Sequence, residues 1–257
     1  MLHPAAHHHR SSRWRRLRRR VLAASVGGLF VCSIFLFSAW TLSRAAPTWW
    51  RTVQREDPGT IRLATIVENT VVNSAYHDWP VVTIEEGLRR SEPWTLSVDA
   101  TEVNAWLNVR LPKWLANQKE QFRWPQDVSD IQVEFHDDRI TLGARVRAGD
   151  RHQVLTATLT PRLDEHGRLY LPARSVNLGR LNIPASWVLQ PIRDNAEDYI
   201  PPQLRRLPET EALFRAFGGK EALVQRATVR LDDGRRIRIL GITPRGGRLL
   251  ITCQTER

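Results

Sequence analysis

Residues 128–171, VSDIQVEFHDDRITLGARVRAGDRHQVLTATLTPRLDEHGRLYL, decide the fold. Ile131, Val133 and Phe135 alternate with Gln132 and Glu134 until Asp137-Asp138 turns the chain. Ile140, Leu142, Ala144 and Val146 resume the alternation, and Gly149-Asp150 turns it again. Leu155, Ala157 and Leu159 make a third strand, Asp164 to Gly167 a third turn, and Leu169 and Leu171 a fourth strand. A period of two belongs to extended chain, and turns this short join antiparallel neighbours. One apolar face per strand predicts a sheet that covers something on one side.

On the C-terminal side, Val176 to Pro184 continues the sheet or forms its edge. A helical pattern follows from Ala185 to Tyr199, divided by Pro191, and a shorter one from Thr210 to Phe217 stops at Gly218-Gly219. Three more strands are predicted at Ala227–Leu231, Arg235–Ile242 and Arg248–Cys253, joined at Asp232-Asp233-Gly234 and at Pro244 to Gly247. On the N-terminal side, Trp94 to Val98 alternates as a strand and runs into Asp99, which can cap a helix while Glu102 reaches back to it. That helix carries Val103, Trp106 and Leu107 on one face and Asn104 and Asn108 on another, and ends by Leu111-Pro112. Residues from Trp114 to Trp124 read as an irregular segment. Ile61, Leu63, Ile66, Val67, Val71 and Ala75 predict an amphipathic helix, followed by a short strand at Val81, Val82 and Ile84. The expected class is α+β: a twisted antiparallel meander covered by helices.

Before all of this lies Val21 to Leu42, twenty-two residues without a charge. As a helix the run is about 33 Å long, enough for a hydrocarbon core of about 30 Å. Seven arginines and no acid precede it, and Trp49 and Trp50 follow it closely. A positive flank stays in the cytoplasm, and such rings suit the membrane–water boundary. The reading is therefore an uncleaved signal anchor in the inner (cytoplasmic) membrane, single-pass, with everything from Ser43 onward outside the cytoplasm. Ser43-Arg44-Ala45-Ala46 keeps cleavage open, although the apolar run exceeds the 7–15 residues usual for a signal peptide. The expected organisation is a basic tail over 1–20, the anchor over 21–42, a juxtamembrane linker over 43–60, an exported domain over 61–200 and a C-terminal extension over 201–257. Trp14, Trp49 and Trp50 are the expected membrane-interface residues.

The chain's net charge of +11 is mostly that tail. Beyond residue 42, 31 basic residues face 27 acidic ones, a net of +4, which excludes a nucleic-acid-binding surface. Cys32 and Cys253 sit inside the apolar run and near the C-terminus, so the exported part depends on its core rather than on disulfides.

No G-x-S-x-G, H-E-x-x-H, Walker loop, C-x-x-C or G-x-G-x-x-G occurs. His136 and His166 stand beside acids in predicted turns, where polar residues belong in any case. No catalytic residue, metal ligand or cofactor is assigned. The tryptophans remain: Trp79, Trp94, Trp106, Trp114, Trp124 and Trp187 all precede the last three strands. They read either as core or as an apolar groove between sheet and helices, for which Trp106, Trp114 and Trp187 are the candidates. Arg230, Arg235, Arg236 and Arg238 read as a solvated strand face, or as a contact for lipid or cell-wall phosphates.

The basic tail and single span, WTLSVDATEVNAWLN (94–108), IQVEFHDDRITLGARV (131–146) and LYLPARSVNLGRLNIPASWVL (169–189) together resemble the YpmS-like family of uncharacterised bacterial membrane-anchored proteins. Leu178-Gly179-Arg180-Leu181-Asn182-Ile183-Pro184 matches that family's step into a helix. The resemblance covers about residues 90–195 and supplies no catalytic residues. It implies an extracytoplasmic domain related to elongated lipid-binding folds. The expected function is a non-enzymatic, membrane-tethered module that holds or presents a lipid of the cell envelope, its partners being membrane lipids. The alternative is a bitopic scaffold that recruits envelope-assembly proteins.

Overall fold

In the computed structural model, residues 30–85, 87–118, 127–148, 150–187 and 215–257 are described. The protein is α+β, and its described residues hold few helices, two large antiparallel sheets and a two-stranded hairpin. Helix α1 covers 30–44, taking in the described part of the apolar run and ending at Arg44. Among the described residues no helix is long and apolar enough to cross a membrane. Residues 21–29 of the run lie outside them, as does all of the basic tail.

Helix α2, Pro58–Tyr76, begins earlier than the periodicity suggests, inside the stretch read as linker. Asp57 caps it by accepting the Thr60 N–H at 2.8 Å, and Pro58 opens the first turn, where its missing N–H costs nothing. At the other end Arg235 donates to the carbonyls of His77 at 3.1 Å and Tyr76 at 3.2 Å, meeting groups that a helix leaves unpaired.

The six-stranded sheet contains β1 (Val81–Glu85), β2 (Leu88–Ser91), β3 (Trp94–Asp99), β11 (Thr228–Arg230), β12 (Arg236–Arg245) and β13 (Arg248–Glu256). The C-terminal strands, expected as an extension after residue 200, pair directly with the start of the domain: β13 lies between β12 and β3. Trp94, Leu96, Val98, Ile237 and Cys253 form one core with Val67 of α2. Trp94 donates to Thr255 Oγ1 at 3.1 Å and stacks on Trp79, ring centroids 5.2 Å apart. Helix α3, Ala100–Val109, starts with the capping box that Asp99 and Glu102 foretell. Helix α4, Leu111–Gln118, stands where an irregular segment was expected. Pro112 falls in its first turn, a position that tolerates proline, so it starts a helix as readily as it stops one.

The five-stranded sheet runs β10–β9–β6–β5–β4, with β4 Val128–His136, β5 Arg139–Ala148, β6 Arg151–Leu159, β9 Ala173–Leu178 and β10 Leu181–Pro184. The first three strands of the meander are found where the alternation puts them. The fourth is not part of it: β7 (Arg162–Leu163) and β8 (Leu169–Tyr170) pair with each other, and Leu169 also bridges Val224 rather than the five-stranded sheet. Pro161 and Pro172 flank this small hairpin and cannot donate to a ladder. Asp164 holds its turn by accepting from His166 N at 3.0 Å, Arg168 N at 2.8 Å and Arg168 Nε at 2.7 Å. Strand β9 then returns to pair with β6.

Helix α3 closes the β4 edge of this sheet with side chains. The Asn104 carboxamide accepts from Val133 N at 2.6 Å and donates to Val133 O at 2.9 Å. Asn108 does the same with Ile131, at 3.1 Å and 2.6 Å. Residues i and i+4 share one helix face, and alternate strand residues turn their backbone groups to one edge, so the two spacings match. The amides stand in for a missing strand. Of the helical patterns predicted at 185–199 and 210–217, residues 185–187 and 215–217 are helical and the remainder lie outside the described residues.

Candidate functional site

Directly opposite residues of antiparallel strands point to the same face, so the register sorts the five-stranded sheet into two surfaces. Gln132, Gly143, Thr156 and Asn177 form a row across the polar one. Residues 42–55 lie over it as a strap. A Cβ on Gly143 would meet the Trp50 ring at 2.7 Å and the Trp49 ring at 2.9 Å, so the missing side chain makes the room. The Gln132 carboxamide, fully buried, pairs with the Arg51 backbone in both directions: its Oε1 accepts the N–H at 3.1 Å, and its Nε2 donates to the carbonyl. Asp130 takes Arg145 at 3.1 Å and Arg55 at 3.4 Å, and the Arg145 guanidinium lies 5.7 Å from the Trp50 ring.

The strap begins at the end of α1, and that end is held too. The Arg180 N–H donates to Leu42 O at 2.8 Å, and its Nε donates to Ala46 O at 2.9 Å. Gly179 turns the chain there with φ 60°, and a Cβ on it would strike the carbonyl oxygens of Ser43, Leu42 and Ala45 at 2.5–2.7 Å. Only glycine takes that backbone conformation and that closeness together. A cationic side chain beside the last carbonyls of a helix also suits its dipole.

The other surface is apolar, in three rows about 6.7 Å apart along the strands. The row nearest the end of α1 is Leu181, Leu178, Leu155, Ala144 and Ile131. Next come Ile183, Val176, Ala157, Leu142 and Val133. The third holds Leu159, Ile140 and Phe135. Burial changes along this direction. Leu159 and Phe135 are 3% and 4% exposed, whereas Leu155 is 41% exposed and Leu178 and Leu181 are half-buried. The surface is closed at the far end and open beside α1, whose Phe30, Ile34, Phe35, Phe37 and Trp40 also face outward.

The residues expected from the sequence fall in different places. Trp106 packs where both core clusters meet, beside Val67 and Ala64 of α2. Trp114, on α4, is 51% exposed, and Trp187, three residues beyond β10, is 73% exposed. Among the described residues no ring contact joins these three. Trp50 of the strap is buried against the sheet and Trp49 half-buried beside it, while Trp14 lies outside the described residues. His136 and His152 stand at opposite ends of the five-stranded sheet, and His77 follows α2. Residues that sequence reasoning passed over are Gly143, Gln132 and Leu155. Gly143 did carry a signal, since a glycine inside a strand marks a close approach.

Comparison of the chain with protein-family models, with curated proteins and with solved structures finds no significant match.

Proposed function

We propose that the chain is a non-enzymatic, membrane-anchored module of the cell envelope that holds or presents a lipid on the apolar face of its five-stranded sheet. The observation that carries this reading is the gradient of exposure along that face, closed at Leu159 and Phe135 and open at Leu155 beside α1. An opening next to the anchor looks toward the bilayer from which a lipid would come. A helix apolar on every side belongs in lipid or in a core, and α1 stands clear of the domain's core. The uncharged run over 21–42 and its arginine flank support an anchor in the inner membrane with the domain outside the cytoplasm. Kinship with the YpmS-like family over residues 90–195 is part of the same proposal.

The test is native mass spectrometry with lipid extraction on the full chain, purified in mild detergent. Near-stoichiometric lipid is expected on the wild type and little on Leu155→Glu, which still folds because the position is exposed, at a cost of about 1 kcal/mol. A lipid-free mass for the wild type overturns the proposal.

A second reading, a scaffold for envelope proteins, draws on the far edge of the six-stranded sheet. Every residue of β11 is exposed, and Arg230 lies opposite Arg236. Truncation at residue 200 would not test it, because β12 and β13 hold the core. Val229→Asp in β11 is the better probe: loss of a crosslinked protein partner with lipid retained favours the scaffold.

A further inference from the structure

The open end of the apolar face is bordered by arginines with no acidic partner among the described residues. Arg44 closes α1, exposed, its guanidinium 3.6 Å from the centroid of the Trp40 ring. Arg151 opens β6, exposed, and the strand's alternation puts it on the same face as Gln153 and Leu155. Gly179, against which the end of α1 is docked, donates its N–H to Val154 O of β6 at 2.7 Å, so Arg44 and the start of β6 share this end of the sheet; desolvation, and then the charge of Arg151, hold Arg44 below its ordinary pKa. Asp150 precedes Arg151 in the exposed turn, and no ion pair joins them. Arg180 stands at the same end of the sheet, its Nε given to Ala46 O. Arg147 is equally exposed, but it pairs with His152 across the ladder and so belongs to the polar face.

Like charges brought together without a counter-charge are unfavourable for the protein alone. An amphiphile with an anionic head and an apolar tail complements both halves of this arrangement. Guanidinium groups match phosphate oxygens with two parallel hydrogen bonds, and each cation near an anionic lipid surface adds to the attraction. We propose that Arg44 and Arg151 form a phosphate site that receives the headgroup of an anionic phospholipid whose acyl chain lies along Leu155, Leu178 and Leu181. The inference rests on the lipid-holding reading above and adds the class of lipid and the residues that select it.

The experiment uses the full chain in nanodiscs of phosphatidylcholine containing a minority of phosphatidylglycerol. The protein is released in mild detergent, and both the amount and the composition of the lipid it keeps are measured. Wild type and Arg147→Gln are expected to keep lipid enriched about tenfold in phosphatidylglycerol over the disc. Arg44→Gln/Arg151→Gln is expected to keep the same total with the enrichment gone. Lipid retained at the composition of the disc by the wild type, or enrichment unchanged in the double variant, overturns the headgroup site while leaving the apolar face standing. Leu155→Glu reads that face separately, through the total. No retained lipid in any form overturns both. Titration with inorganic phosphate distinguishes the source: saturable binding that the double variant loses, without phosphatidylglycerol enrichment, assigns the arginines to free phosphate and overturns the lipid proposal.

Discussion

The two sheets use the same alternation to opposite ends. In the six-stranded sheet the apolar face is sealed by α2 and α3, with Trp94, Leu96 and Val98 buried against Val67. In the five-stranded sheet the polar face is the sealed one, under Trp50 and the strap, and the apolar face is open at one end. Burial of apolar surface drives folding, so the first arrangement is what stability alone favours. The second leaves apolar area in water beside a helix that is itself apolar all round, and hydrogen bonds from Gln132 hold the strap in place on the wrong side for a core. A sheet that ignores the simpler solution is the place to look for function.

The largest effect should come from cutting the sealed core. Trp94→Ala removes the ring that stacks on Trp79 and hydrogen-bonds Thr255, and is expected to cost about 3–5 kcal/mol in urea unfolding. Leu155→Ala, on the open face, is expected to cost less than about 1 kcal/mol. Equal costs at the two positions would show that the open face is packed, and the contrast between the sheets would fall.

A smaller effect is expected where the strap is held. Gln132→Ala leaves the Arg51 N–H and carbonyl without their partners, at about 2 kcal/mol. Hydrogen exchange at Arg51 should accelerate with it, while exchange within β12 and β13 stays slow. Uniform acceleration through both sheets would mean that the strap is part of one global core rather than a local seal.

The smallest effect concerns Cys253. Burial raises its thiol to about 11, against an ordinary value near 9. The folded state therefore keeps the proton longer than the unfolded one. Stability is undiminished below the unfolded pKa and declines as pH rises from about 9 through about 11. Melting temperature should fall over that window in the wild type and stay flatter in Cys253→Ala, after allowance for the variant's lower starting value. A thiol alkylated at neutral pH without unfolding would place Cys253 outside the sealed core.

Much of the local structure was legible. Alternation over 131–146 and 155–159 needs only the period of a strand, and Asp99 with Glu102 needs only the reach of two side chains. The candidate site was legible in part. The apolar alternation pointed to a one-sided sheet, and the tryptophans pointed to bulky apolar contacts, but Trp106 turned out to bridge two cores while Leu155, an ordinary leucine in the pattern, is the exposed residue. Exposure depends on what comes to lie above a side chain, and no local period records that.

The chain's own order of residues determined the elements, the uncharged run with its arginine flank, and the alternation that gives each strand two unlike faces, because these follow from backbone geometry and the spacing of a few neighbours. Only the tertiary structure decided which face was covered. Pairing of β13 with β3 joins residues some 150 positions apart, and Gln132 meets Arg51 across 81. Gly179 meets the end of α1 across more than 130. Such contacts depend on shape complementarity between distant segments, of which Gly143 under two indole rings is the clearest case: the sequence shows a missing side chain, and the fold shows what fills the space.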